Sequence, residues 1–358
     1  AIKKSSDQYR RMYFTPLPNE SIEVGRPVKK TPIYNKLKDS GAIYLDSYGW
    51  EKPCWFGKKG MKEEYGFKRT NAFSYVQNEC ENIQNNVGVL DLSTFAKYEI
   101  SGKDSESFLD RLCSNRIPQK DGSIVLTHML NEKGRIQSEL TITRFPNNTF
   151  YVLSSTASEI RDLDWFNHHL DKEENVKIKN VTQDYGVLVL AGPNSRKVLS
   201  ELTSQNLHNN DFPWLKGKEI LINKIPVRAL RVNYVGELGW ELHHPMKQMG
   251  SLYEAIYEVG KKEKIINFGT YSVNSLRMEK AYKGWGSELT GEISLVEAGM
   301  DRFFNLKKKN NFFGAKALQN KIQSGVDIKI VYLDVDVDKA DARGNEPVYH
   351  NNKIVGVV

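Results

Sequence analysis

One segment in the second half of the chain, Arg231-Val232-Asn233-Tyr234-Val235-Gly236-Glu237-Leu238-Gly239-Trp240-Glu241, constrains the fold more than any other. Leu230, Val232 and Tyr234 alternate with Arg231 and Asn233, the period of a half-buried strand. Gly236 and Gly239 then allow a tight turn or a close approach of backbone to a ligand. The segment therefore reads as a strand that enters a turn and resumes. Around the glycines stand Tyr234, Trp240 and the carboxylates Glu237 and Glu241. Aromatic side chains offer flat faces to a heteroaromatic ring, and a carboxylate accepts two parallel hydrogen bonds from an amino-pyrimidine edge. That combination suits a pterin. Without further support, a Tyr and a Glu on a sheet edge is the simpler reading.

Further motifs supply that support in a fixed order. Gly88-Val89-Leu90-Asp91-Leu92-Ser93 reads as a strand and turn. Met129-Leu130-Asn131-Glu132-Lys133-Gly134 followed by Ser138-Glu139-Leu140-Thr141 reads as a hairpin. Leu190-Ala191-Gly192-Pro193 opens a second half. Asn274 to Lys280 reads as a helix, followed by Trp285-Gly286. From about Asn82 onward the chain resembles the folate-binding family of the glycine cleavage T-protein (aminomethyltransferase). The opening segment matches its Tyr-x-Gly-Glu-x-Gly-aromatic-Glu signature. Gly49-Trp50-Glu51-Lys52-Pro53 and Trp55-Phe56 are similar to words that precede the folate-binding C-terminal half of dimethylglycine and sarcosine dehydrogenases, where that half joins a flavin oxidase domain.

The resemblance implies an α+β aminomethyltransferase-type fold followed by the start of a C-terminal β-barrel domain. The expected division is a leader over 1–80, a folate-binding domain over 81–320 and the beginning of the barrel over 321–358. The chain opens at Ala1 and closes inside the apolar Ile354-Val355-Gly356-Val357-Val358, so it is expected to be a fragment. The leader reads as irregular, rich in turn formers and charge, with a short helix near Pro32–Leu37 and little core of its own.

Helices are expected at Asp104–Leu112, around Ile160–Leu170, at Ser195–Leu202, around Leu252–Val259 with Gly260 as a cap, after Thr270 as N-cap, and near Lys316–Leu318. A hairpin is expected around Pro146-Asn147-Asn148. Val187–Leu190 reads as a buried strand.

Composition narrows the function classes. The 358 residues suffice for two or three packed units. No apolar run approaches the roughly 20 residues needed to cross a bilayer. Cys54, Cys80 and Cys113 are odd in number and lack CxxC spacing, which points to a reducing compartment. The net charge of +7 is modest; it suits either attraction of an anionic ligand such as a polyglutamylated folate or a lysine-rich solvated surface, and the second is preferred. Lys307-Lys308-Lys309 reads as a solvated loop. It lacks the interleaved aromatics of a single-strand nucleic-acid binder, and neither nucleic acid nor membrane is expected as a partner. Lys-, Asn- and Ile-rich usage leans toward a bacterial cytoplasm over a mitochondrial matrix.

No Gly-x-Gly-x-x-Gly follows a strand, so no dinucleotide or flavin site is expected within this chain. The neighbouring histidines His168-His169 and His243-His244 point to different sides of a helix or strand and make poor joint metal ligands. Catalysis would then rest on a bound cofactor. By resemblance that cofactor is tetrahydrofolate, with FAD only in a separate or missing oxidase domain. The resemblance implies that Tyr234 and Glu241 sit at the pterin, with Arg277, Tyr282 and Trp285 at the pocket. It also implies that Glu139 stabilises cationic character on the one-carbon unit.

In the family pattern an Asp after a Gly-Gly pair usually takes this last place; here Glu139 follows Gly134-Arg135. The implied activity is transfer of a one-carbon unit from the iminium of a dimethylglycine- or sarcosine-type N-methyl amine, giving 5,10-methylenetetrahydrofolate. Two rivals are a stand-alone aminomethyltransferase or folate-dependent demethylase, and a non-enzymatic folate-binding regulatory protein.

Overall fold

The computed structural model describes residues 2–308 and 311–358. Two sheets organise it. A six-stranded sheet has the order Gly217–Ile222, Ile225–Leu230, Gly239–Pro245, Tyr185–Ala191, Val87–Asp91, Ile265–Asn267. All its pairings are antiparallel except the last, which is parallel. A five-stranded antiparallel sheet has the order Ile124–Leu130, Ile136–Phe145, Thr149–Ser154, Ala96–Ser101, Lys177–Asn180. The resulting α+β architecture agrees with the sequence reading.

Each sheet carries the helices that its hydrophobic pattern requires. Strand Tyr185–Ala191 is apolar nearly throughout because both of its faces are covered. Leu188 and Leu190 pack with helix Met249–Gly260 and helix Ser195–Ser200 on one side. Val187, Val189 and Ala191 pack with helices Ala72–Asn85 and Thr270–Glu279 on the other. Strand Ile136–Phe145 instead alternates. Leu140 and Ile142 join the core under helices Ser105–Leu112 and Glu159–His168. Glu139 and Thr141 consequently face the opposite way, toward the other sheet. The turn after this strand is a three-residue hairpin loop, Pro146-Asn147-Asn148, with Asn147 and Asn148 both at positive φ, a conformation that Asn tolerates. Between the sheets, Phe145, Tyr151, Leu153 and Val181 meet Leu230 in a small core.

Several elements depart from the sequence reading. The leader is more ordered than expected. It contains helix Ile2–Arg10, helix Tyr34–Asp39, a hairpin of Ala42–Ser47 with Trp50–Phe56, and the start of helix Ala72–Asn85. Tyr48 and Gly49 form that hairpin's turn at positive φ. Ile33, Leu37 and Ala42 enter the core of the six-stranded sheet, so the leader shares a core rather than making one.

Val232 and Tyr234 are not strand residues. The strand stops at Leu230, and a loop runs to Gly239. Thr270 does not cap its helix. The carboxylate of Glu79, from a neighbouring helix, accepts from Gly269 N at 2.9 Å and is also bonded by the Ser272 hydroxyl. Gly260 is the last residue of its helix but not a left-handed cap; at φ −69° it leads into the short 3-10 helix Lys261–Glu263, the chain turns at Lys264 with φ 58°, and Gly260 makes room for Ile265.

Lys308 is not solvated. Its ammonium donates to the carbonyls of Asp110, Cys113 and Asn115 at the end of helix Ser105–Leu112, where unpaired carbonyls attract a cation. Lys309 lies outside the described residues. Over 321–358 no barrel is seen. Helix Ala315–Ser324 is followed by chain without helix or strand and one antiparallel hairpin, Pro347–His350 with Lys353–Val357.

Candidate functional site

A cavity of about 1190 Å³ opens between the two sheets and is closed by three loops. The five-stranded sheet contributes Glu139, Thr141, Leu153 and Ser154. The six-stranded sheet contributes Gly239 and Glu241. The loops around 231–238, 281–285 and 299–303 form much of the remaining wall, with Phe95, Asn115, Trp214 and Leu215 among the other lining residues.

The 231–238 loop is built by Asn233. Its side-chain oxygen accepts from Val235 N at 3.0 Å and Gly236 N at 3.2 Å, and its amide donates to Glu237 O at 2.8 Å. Such local side-chain to backbone bonds draw the chain away from the sheet ladder, which is why the strand ends early. Gly236 holds φ 76°, packed on the Lys280 side chain. At Gly239 a Cβ would come 2.5 Å from Leu190 O, so only glycine lets the strand resume there. The loop aims Tyr234 into the cavity, with its hydroxyl bonded to Lys283 O and its ring 5.9 Å from that of Tyr282.

The resumed strand points Glu241 into the cavity floor. Its neighbour Trp240 points the other way, into the core against Phe212. The sequence reading offered both Tyr and Trp to a ring ligand, and strand parity removes Trp240 from that role. Glu241 is 8% exposed, and burial pushes its carboxyl up to about 8 against the opposing pull of Lys97. Lys97 is fully buried, and desolvation brings its ammonium down to about 7. Lys97 is held by Ser93 O at 2.8 Å and Phe95 O at 2.6 Å.

Glu139 sits across the cavity wall, directly opposite His128 in the strand register. Its carboxylate lies 3.3 Å from His128 Nε2. His128 is buried, with Phe303 edge-on to the ring, and its Nδ1 has no partner among the described residues. A neutral imidazole with the proton on Nε2 leaves only a lone pair unsatisfied there, so His128 donates to Glu139.

Arg277 does not line the cavity. It is buried behind the 281–285 loop, donating to Asn274 Oδ1 at 2.7 and 2.9 Å, Tyr282 O at 2.8 Å and Glu288 Oε2 at 2.8 Å. Glu288 in turn accepts from Gly284 N at 2.7 Å. Arg277 therefore shapes the loop that carries Tyr282 and Trp285, both of which line the cavity. Trp285 is fixed by an indole bond to Ser158 Oγ at 3.0 Å and by Arg161 stacked over its ring.

Of the six residues singled out from sequence, the structure thus brings Glu139, Tyr234, Glu241, Tyr282 and Trp285 to one cavity and sets Arg277 behind it. Sequence reasoning missed Lys97, His128 and His243. His243 carried a usable signal, since a residue two positions after Glu241 in a strand shares its face.

The comparisons with known proteins fall on the same elements. The model of the GCVT N-terminal domain matches residues 33–308. The chain belongs to the GCVT N-terminal domain family. Mitochondrial dimethylglycine dehydrogenase of Rattus norvegicus is 39% identical over 99% of the chain, which spans 41% of that protein. The mitochondrial pyruvate dehydrogenase phosphatase regulatory subunit of Mus musculus is 30% identical over 96% of the chain, again spanning 41% of the relative. The chain thus corresponds to less than half the length of these two relatives. Among solved structures, the glycine cleavage system aminomethyltransferase T from Bartonella henselae superposes with a TM-score of 0.71 at 21% identity, over 83% of this chain and 76% of that one. This likeness shows a shared GCVT-type α+β fold.

Proposed function

We propose that this chain is a tetrahydrofolate-binding module that receives a one-carbon unit from an N-methyl amine of dimethylglycine or sarcosine type. The observation that carries the reading is the buried carboxylate of Glu241 in the lining of a cavity of about 1190 Å³ that Tyr234 also lines. The residues present fit the group. A buried carboxylate accepts paired N–H bonds from an amino-pyrimidine edge, and the surrounding wall is largely apolar. The cavity exceeds the usual range of roughly 300–1000 Å³ for small-molecule sites, leaving room for a ligand with a long tail.

Bound tetrahydrofolate would supply the nitrogens that accept the carbon, giving 5,10-methylenetetrahydrofolate. The protein's part is to hold and shield. Glu241 orients the ring by its hydrogen bonds. Tyr234 and Trp285 wall the cavity with aromatic surface. Glu139 places negative charge where cationic character develops on an iminium carbon, and His128 fixes the rotamer of that carboxylate. The loops around 281–285 and 299–303 keep out water that would hydrolyse the iminium to formaldehyde.

Calorimetric titration with 5-formyltetrahydrofolate tests the reading. Micromolar affinity is expected, and Glu241→Gln should weaken it by about 10²-fold, the loss of a charged acceptor for two donors. Equal binding by both proteins would overturn the assignment of Glu241.

A second reading is a folate binder without turnover. It draws on the likeness to a protein named as a regulatory subunit and on Glu139-Arg135 replacing the usual Asp and Gly. A turnover assay with tetrahydrofolate, formaldehyde and a demethylated amine, read against the same mixture without protein, separates the two. Product formation that Glu139→Gln abolishes supports the transfer reading; affinity without product supports the binder.

A further inference from the structure

Behind Glu241 lies a chain of buried polar groups with no role in the reading above. His243 follows Glu241 by two positions in the same strand, so both side chains project from one face. His243 Nε2 lies 3.2 Å from Glu241 Oε2. Its Nδ1 lies 3.0 Å from the hydroxyl of Tyr151, which comes from the five-stranded sheet. The two rings meet edge to face at 89°, and both residues are almost wholly buried.

Hydrogen-bond accounting orders this chain. Burial, with Lys97 and Arg228 as neighbouring cations, keeps the imidazole neutral. A neutral imidazole has one N–H and one lone pair. The Tyr151 hydroxyl has no partner besides His243 among the described residues. If Tyr151 donates to Nδ1, the proton sits on Nε2 and is donated to an ionised Glu241, and no group is left unpaired. The reverse tautomer would strand the tyrosine hydrogen in an apolar core and, once Glu241 is ionised, turn a lone pair toward the carboxylate, both costly. Lys97 does not take this place: its ammonium donates to the carbonyls of Ser93 and Phe95, and no bond joins it to Glu241 among the described residues. Among the described residues His243 is the side chain that donates to Glu241.

We infer that His243, fixed in its Nε2–H tautomer by Tyr151, is a positioning residue that holds the Glu241 carboxylate aimed into the cavity. Its consequence for ligand binding rests on the folate reading; the hydrogen-bonded chain itself does not.

The test therefore has two arms. In the first, the Glu241 carboxyl of the ligand-free protein is titrated by ¹³C NMR and assigned with Glu241→Gln. His243→Leu should raise the midpoint by about one pH unit or more, the loss of a donor to the ionised form, and His243→Gln, which retains an N–H, should restore it. In the second, His243→Leu should weaken 5-formyltetrahydrofolate about tenfold or more, again with recovery in His243→Gln. Tyr151→Phe removes one oxygen and serves if His243→Leu does not fold; it should shift the His243 ¹⁵N resonances away from the Nε2–H pattern.

An unmoved Glu241 midpoint, or an unmoved His243 tautomer in Tyr151→Phe, overturns the inference. A wild type that binds folate through Glu241 but is indifferent to His243→Leu would sink the positioning role and leave the folate reading standing. A wild type that ignores folate while His243→Leu still moves the midpoint would do the reverse.

Discussion

At the scale of single residues, the site is governed by what burial does to Glu241. Its carboxyl is raised from the ordinary 4.5 to about 8 by desolvation. A ligand that presents N–H donors binds the ionised form, so below about pH 8 binding must release a proton. Affinity for 5-formyltetrahydrofolate should therefore rise as pH increases, by up to about tenfold per unit, and level off once Glu241 is ionised in the free protein. Calorimetry across that range in buffers of different ionisation enthalpy reads both the slope and the proton. A flat affinity profile would contradict the argument.

The same shift has a stability consequence of fixed sign. The unfolded chain ionises first, so stability from this group is fully present below about 4.5 and is lost as pH rises toward 8. Glu241→Gln should remove that loss and be relatively more stable at the alkaline end.

At the scale of elements, one close junction ties the leader's hairpin to the folded body. Gly269 starts helix Thr270–Glu279 directly against the hairpin strand Trp50–Phe56. An added Cβ there would stand 1.9 Å from Cys54 O and 2.0 Å from its carbonyl carbon. Backbone on both sides cannot give way as a flexible side chain can. Glu79 bonds both pieces at this point, accepting from Phe56 N at 2.7 Å and from Gly269 N at 2.9 Å. Gly269→Ala should destabilise the protein by about 3 kcal/mol or more, the upper end for overpacking, because hairpin and helix must separate. Chemical denaturation measures this; a loss below about 1 kcal/mol would show that the junction yields. Sequence alone placed a helix here correctly but gave its cap to Thr270, since a carboxylate arriving from a distant helix leaves no local trace.

At the scale of the whole molecule, the cavity exists because two sheets with separate cores are held at a set spacing. Arg228, on the six-stranded sheet, spans the gap. It pairs with Glu99 of the other sheet at 2.7 Å and stacks its guanidinium on Phe145, Tyr151 and Tyr185. Arg228→Leu should cost about 2–4 kcal/mol, because Glu99 loses its partner in a partly buried setting and the stacked rings lose their cation. Folate affinity should fall with it, since the two cavity walls come from different sheets. A double-mutant cycle with Glu99→Gln checks the coupling: if the two substitutions add without interaction, the pair does not set the spacing.

What the sequence determined by itself was local and periodic. Alternation in Ile136–Phe145 put Glu139 on one face, the unbroken apolar run Val187–Leu190 announced a strand covered on both sides, and paired Asn residues marked a hairpin turn. The two glycines around Glu237 marked where the backbone must bend and resume.

What only the tertiary structure decided was which faces meet. Trp240 and Glu241 are adjacent in sequence, yet parity sends one to the core and the other to the cavity. Arg277, chosen for the pocket, proved to hold the loop behind it. His128 reaches Glu139 through strand register, and Tyr151 reaches His243 across two sheets. Lys308, one of a run that reads as solvent-facing, caps a helix nearly two hundred residues away. These contacts depend on side-chain geometry between distant segments, and no spacing along the chain encodes that geometry.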